Sequence, residues 1–258
     1  MCKDCGCSDP PANASASHVY HHDVNHGHAH GNSVGPPETT LRLEQAILQK
    51  NDRLAQRNRD WLTRRRILAL NLLSSPGAGK TALLERTIRD LGQEFAFQVI
   101  EGDQATDHDA ERIRAAGCRA VQINTGTGCH LDATMVARGL EELDPPPGSI
   151  VMIENVGNLV CPALFDLGEH AKVVVCSVPE GDDKPVKYPH MVRAGSVLLL
   201  NKIDLLPHVP FDLPRFLAFA RQVNPRSRII PLSAIRGDGL PQWYDWLREQ
   251  VRTRHDHP

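Results

Sequence analysis

The sequence predicts a three-layer α/β domain on a mostly parallel sheet, and three observations predict it. From Ile67 onward, short aliphatic and β-branched runs alternate with amphipathic segments. The runs are apolar almost throughout, rather than at every second residue, as strands covered on both faces must be. One of them passes through a glycine-containing turn straight into a helical pattern.

The elements follow in order. Residues 1–37 are Cys, His, Gly, Ser, Asn and Pro with almost nothing to bury, which predicts a disordered tail. Residues 38–66 lack Gly and Pro and set Leu43, Ile47, Leu54 and Trp61 among charges, which predicts one helix. Residues 67–258 form the α/β domain, with strands expected in ILALNLLSS, FAFQVIEGD, RAVQINT, SIVMIEN, AKVVVCSV, SVLLLNKID and SRIIPLSA. DPPPGS reads as a surface connection within that domain, because the alternation resumes after it.

The totals narrow the function classes. With 41% hydrophobic residues in 258, the chain can build one sizeable core. A net charge of -2 supplies no field for nucleic acid or an acidic membrane, so neither is an expected partner. No apolar run reaches the length of a bilayer span or forms a secretory signal, so a cytoplasmic location is expected. Thiols stay reduced there, and seven cysteines, an odd number, fit metal chemistry better than disulfides.

LNLLSSPGAGKTALL carries the first chemistry. It matches the P-loop pattern G-x-x-x-x-G-K-[ST] except that Ser74 stands at the first glycine, and its strand–turn–helix context is the one the motif needs. Backbone N–H groups of Gly77, Ala78 and Gly79 can cradle phosphates, Lys80 can reach the β and γ oxygens, and the Thr81 hydroxyl can ligate magnesium. The predicted fold is thus a P-loop NTPase domain.

NKID identifies the base. Asp204 can accept from guanine N1–H and the exocyclic amine, donors that adenine lacks, and discrimination of this kind reaches about 10⁴-fold. Asn201 would hold the loop, the Lys202 stem would pack across the ring, and Ser233 and Ala234 in PLSA would present backbone N–H to O6. Asp103 and Glu154 close two strands on the ligand-binding side of such a sheet. Asp103 is assigned to magnesium or the attacking water, and Glu154, three residues before Gly157, to the magnesium shell directly or through water. The competing reading makes either carboxylate a helix cap. Lys80, Asp103 and Glu154 are the candidate catalytic residues.

Soft ligands follow. Cys129 adjoins His130, and Cys161 lies seven residues after Glu154; thiolate and imidazole suit zinc or nickel. Adjacent residues in a turn point apart, so a site shared across a dimer is the expected way for Cys129 and His130 to reach one ion, and burial as ordinary core cysteines is the alternative for Cys129 and Cys161. Cys118 and Cys176 read as small buried hydrophobes. Cys2, Cys5 and Cys7 can wrap one ion with the terminal amine as a fourth ligand, a planar set favouring Ni(II). His18, His21, His22, His26, His28 and His30 add weaker imidazole sites.

Together MCKDCGC, SSPGAGKT, IEGDQ, NTGTGCHLDA, ENVGNLVCP, EGDDKPVKYPHM and NKIDLLP resemble the hydrogenase nickel-incorporation GTPases, the HypB family, over essentially the whole chain. The resemblance implies a slow GTPase, a nucleotide-dependent homodimer, a tight nickel site at Cys2, Cys5 and Cys7, and a second metal site, nickel or zinc, at Cys129, His130 and Cys161. It also implies a zinc-containing accessory partner acting on the large subunit of nickel–iron hydrogenase. The urease GTPases share the domain plan, but CxxCxC and ENVGNLVC favour the hydrogenase branch. A nickel store with vestigial hydrolysis is the other alternative. One departure stands out: where many dimerising relatives carry a second lysine, five residues before the loop lysine, this chain has Ser75, and Lys184 or Lys187 is the expected substitute.

Overall fold

The computed structural model describes residues 38–103, 108–126 and 128–256, so the tail expectations at Cys2, Cys5, Cys7 and the six histidines lie outside the described residues. The long first helix, α1, runs Glu38–Arg64. Seven strands follow, β1 Leu68–Ser74, β2 Phe97–Asp103, β3 Arg119–Asn124, β4 Ile150–Glu154, β5 Ala171–Ser177, β6 Val197–Asn201 and β7 Arg228–Pro231, one inside each of the seven apolar runs. They form one sheet in the order β3-β2-β4-β1-β5-β6-β7, and every pairing is parallel.

Strand periodicity divides the core into faces. Leu68, Leu70 and Leu72 of β1 point to one side, against Leu83, Leu84 and Ile88 of α2 (Lys80–Leu91), Ile113 of α3 (His108–Ala115) and Trp243 and Leu247 of α9 (Leu240–Asp256). Ala69, Val151 and Ile153 point to the other, under Leu62 of α1 and Val136 and Leu140 of α4 (Ala133–Leu143). Farther along that second face, Leu73, Val174, Leu198 and Leu200 meet Met191 of α7 (Pro189–Ala194) and Phe216 of α8 (Leu213–Val223). Two short helices, α5 (Cys161–Leu164) and α6 (Lys184–Lys187), complete the set among the described residues. Truncating a wholly buried leucine such as Leu70 to alanine should cost about 2–5 kcal/mol.

Helix starts are set by local chemistry. The Asp132 side chain accepts from Met135 N–H at α4, and Asp212 does the same for Arg215 N–H at α8, where Pro214 sits in the first turn. Asn51 and Asn58 of α1 pin what lies beneath that helix: Asn58 donates to the carbonyls of Ala133 and Leu167, and Asn51 to that of Asp166. All seven strands run the same way, so Ser74, Asp103, Asn124, Glu154, Ser177 and Asn201 end at one edge. Ligands of open parallel sheets bind at that edge. Among the described residues no helix is long and apolar enough to cross a membrane.

Candidate nucleotide and metal site

The turn after β1 wraps a cavity of about 450 Å³ whose lining includes Gly77, Gly79, Lys80, Thr81, Asp103 and Glu154. Gly79 has φ +96°, and a Cβ there would meet Asn201 Nδ2 at 2.5 Å, so both the backbone and the space require glycine. Gly157 is constrained by space alone: a Cβ would lie 3.0 Å from Pro76, which lets the loop after β4 close against the phosphate loop. The Lys80 ammonium is buried and donates to Ser74 Oγ at 2.7 Å, so the residue at the motif's imperfect position gives the lysine a hydroxyl to rest on. Burial lowers the Lys80 pKa, with the Glu154 carboxylate opposing the shift.

Thr81 Oγ1 donates to Glu154 Oε1 at 2.8 Å. Burial pushes the Glu154 carboxyl up to about 7, against the opposing pull of Lys80 and the Thr81 hydrogen bond, and its second oxygen is buried with no hydrogen-bond partner among the described residues. A hydroxyl and carboxylates around an unfilled acceptor fit a hard cation such as magnesium, the ion that accompanies nucleotide in this fold. The cavity also holds Glu101, Asp109 and Arg112, which sequence reasoning passed over. Glu101 was legible: two residues before Asp103 on one strand, it shares that residue's face, and it pairs in register with Glu154. Arg112 had no such signal, since its bidentate contact with Glu85, at 3.1 and 2.9 Å, joins two helices.

At the far end of the loop, Asn201 Nδ2 donates to Ala78 O at 2.9 Å and Lys202 Nζ to Gly77 O at 2.6 Å, tying the base segment to the phosphate loop. Asp204 Oδ1 accepts from Ser233 Oγ at 2.6 Å. The backbone N–H groups expected to face guanine O6 are engaged within the chain: Ser233 N–H donates to Asp238 O and Ala234 N–H to Asn201 Oδ1. In this structure they knit the purine loop together and do not stand free.

The two candidate substitutes for the missing lysine differ. Lys184 is buried, with Nζ 2.8 Å from Ser75 Oγ, 2.9 Å from Glu180 Oε1 and 4.5 Å above the Tyr188 ring, so its ammonium rests against the phosphate loop at Ser75. Lys187 is exposed and pairs with Asp183.

Cys129 Sγ, His130 and Cys161 Sγ place one ligand atom each within 4.8 Å of one another in a single chain. The ligand atoms of Cys129 and His130 thus converge without a second subunit, which removes the geometric difficulty that their adjacency in sequence raises. The chain bends after Gly128, whose N–H returns to Thr125 O, and Cys129 Sγ lies 3.6 Å from His130 Nδ1. The imidazole lies against the Phe165 ring, with centroids 3.9 Å apart and planes tilted by 35°. Burial lowers the His130 pKa, which favours the neutral ring a metal needs, and burial with the neighbouring Cys129 thiol raises that of Cys161. All three are half-buried, and so is Cys118, which was expected to be buried and whose thiol burial pushes up to about 11; among the described cysteines Cys176 alone is fully buried.

A family model described as CobW/HypB/UreG, nucleotide-binding domain, matches residues 68–231. The hydrogenase maturation factor HypB of Azotobacter vinelandii is 57% identical over 214 residues, covering 83% of this chain and 71% of the relative. Among solved structures, the hydrogenase maturation factor HypB from Archaeoglobus fulgidus aligns with a TM-score of 0.75 at 40% identity, over 79% of this chain and 100% of that one. HypB from Helicobacter pylori, solved in complex with nickel, aligns with a TM-score of 0.74 at 36% identity, over 79% of this chain and 96% of its own. On fold, site and likeness together, the chain belongs to the HypB family of hydrogenase maturation factors.

Proposed function

We propose that this chain is a cytoplasmic GTPase that binds nickel and delivers it, coupled to GTP hydrolysis, during maturation of nickel–iron hydrogenase. The observation that carries the reading is the thiol–imidazole–thiol cluster on the segment that leaves Glu154: Cys161 follows the buried carboxylate by seven residues and converges with Cys129 and His130. Lys80 and the loop N–H groups would hold the β and γ phosphates, Asp204 would select guanine, and Lys184 would add the charge missing at Ser75. Magnesium, held by Thr81 and Glu154 and with Asp103 nearby, would neutralise phosphate charge. Asp103 and Glu101 would orient water at the terminal phosphate. Hydrolysis by unassisted GTPases runs at about 10⁻⁴ to 10⁻² s⁻¹, a rate that suits a timer.

The soft triad takes nickel as cargo, and its half-exposure suits exchange with a partner. Zinc is the competing occupant, since three soft ligands leave a fourth position open. Cys2, Cys5 and Cys7 would form the tight nickel site, with the histidine stretch as a weaker reservoir. The assembly is a nucleotide-dependent homodimer that hands metal on with a zinc-containing accessory protein to the hydrogenase large subunit.

Lys80→Ala in the host organism tests this. Loss of hydrogenase activity at normal cellular nickel content supports the delivery reading, whereas retained maturation leaves nickel storage as the better account. Loss of urease with hydrogenase spared would transfer the chain to urease-type delivery.

A further inference from the structure

A buried polar chain that neither chemistry uses joins the two sites. Asn71 is fully buried in the middle of β1 between Leu70 and Leu72, where an unpaired carboxamide would be costly. Its Nδ2 donates to Glu169 Oε1 at 3.1 Å, and its Oδ1 accepts from Asn155 Nδ2 at 3.2 Å. Asn155 Oδ1 accepts from Leu131 N–H at 3.1 Å and Val156 N–H at 3.0 Å. Glu169 Oε2 accepts from Leu167 N–H, and its Oε1 lies 3.6 Å from Lys172 Nζ. Lys172 donates to the carbonyls of Ala163 and Phe165, each at 3.0 Å. Two backbone donors oblige the Asn155 oxygen to face Leu131 and Val156; its amine must then face the Asn71 oxygen, and the Asn71 amine the carboxylate.

The ends of this chain matter. Asn155 directly follows Glu154, Leu131 directly follows His130, and Ala163 and Phe165 follow Cys161, with the Phe165 ring in contact with His130. The network therefore holds both metal-bearing segments and is anchored next to the carboxylate at the nucleotide. A hydrogen-bonded network in a close-packed core has few alternative arrangements, so a shift at one end is resisted or transmitted as a unit.

We propose that Asn71 and Asn155 are positioning residues through which the nucleotide state at Glu154 sets the geometry of Cys129, His130 and Cys161. The inference rests on the proposed coupling of nickel to GTP and names the part of the molecule that carries it. Movement of β4's end displaces the Asn155 carboxamide; Leu131 N–H follows it toward or away from the metal loop, while Asn71, Glu169 and Lys172 hold the Cys161 segment against the change. Linkage makes the effect reciprocal: nickel alters nucleotide affinity by the same factor.

The test uses the full chain with Cys2, Cys5 and Cys7 replaced by serine, so that thiolate-to-nickel charge-transfer absorbance reports Cys129 and Cys161. Nickel is titrated with GDP–magnesium and with the β,γ-imido analogue of GTP. The chain with native Asn71 should show affinities differing by about 5- to 150-fold between the two nucleotides. Asn71→Ala, which removes no ligand of either site, should bring that ratio to within about twofold, and Lys172→Met should lower it at least threefold, by about 0.65 kcal/mol of coupling at 298 K. A merely structural role would weaken nickel binding equally with both nucleotides and leave the ratio intact, which overturns the inference. A ratio near one before any change at Asn71 refutes the coupling itself, and the inference falls with it. If Asn71→Ala does not fold, Lys172→Met decides on the same criterion.

Discussion

The stretch from Glu154 to Cys161 carries two candidate metal sites of opposite character. At its start, Glu154 is wholly buried beside a hydroxyl and an ammonium; seven residues on, Cys161 is half-exposed beside a thiol and an imidazole. The first region offers oxygen donors from which water is excluded, suited to a hard ion that stays with the nucleotide. The second offers soft donors open to solvent, suited to an ion that must leave. Cys176 shows what a cysteine becomes without that exposure: fully buried on β5, its thiol pushed far above the ordinary range by burial, it is a piece of core.

Four substitutions sharpen or break that contrast. Lys80→Ala should act at the hard end alone, lowering GTP turnover by about 10³-fold while nickel binding at the soft triad persists with no nucleotide present. Parallel loss of both, in phosphate-release and nickel-titration assays on a folded variant, would erase the distinction. Cys161→Ser should do the reverse, weakening nickel at the triad by about 100-fold with GTP turnover unchanged in buffer that contains magnesium and no nickel. Lys184→Ala should reduce GTP turnover by about 10-fold, from loss of a charge-assisted contact, while Lys187→Ala leaves it unchanged. Equal effects of the two would remove the assignment to Ser75.

The last effect concerns stability. Without magnesium and nucleotide, burial raises the Glu154 carboxyl from 4.5 to about 7, so the folded protein keeps a proton that the unfolded chain releases. Stability contributed at this position therefore falls as pH rises from about 4.5 through 7. Glu154→Gln should be more stable than the native chain at pH 8, by up to about 3 kcal/mol, and close to it at pH 5. Urea unfolding at both pH values measures this, and an unchanged pH slope would contradict the account of a carboxylate strained by burial.

The fold was almost fully legible because strands buried on both faces leave an apolar run that sequence alone reveals, and all seven runs carried one. The phosphate loop and NKID were legible because their chemistry is local in sequence. What escaped is what the sheet brings together across long separations: Asn71 meets Asn155 and Glu169 from 84 and 98 residues away. Lys184, one of two lysines expected near Ser75, reaches it from 109 residues away, and only the fold separates it from Lys187. Asn71 is a single polar residue inside an apolar strand and belongs to no local motif. The convergence of Cys129 and His130 escaped for a different reason, since it depends on a backbone bend and on a ring contributed by Phe165. The N–H groups of Ser233 and Ala234, expected to face the base, are engaged by Asp238 and Asn201, partners that no sequence signal pairs with them.

The most direct test of delivery by hydrolysis is a single-turnover experiment on the full chain with Cys2, Cys5 and Cys7 replaced by serine, loaded with nickel and GTP–magnesium in the presence of a colorimetric chelator. Thiolate-to-nickel absorbance and phosphate release are followed together. The account predicts that nickel leaves the triad with the time course of phosphate release and stays when the β,γ-imido analogue replaces GTP. Nickel transfer at the same rate with both nucleotides would contradict it.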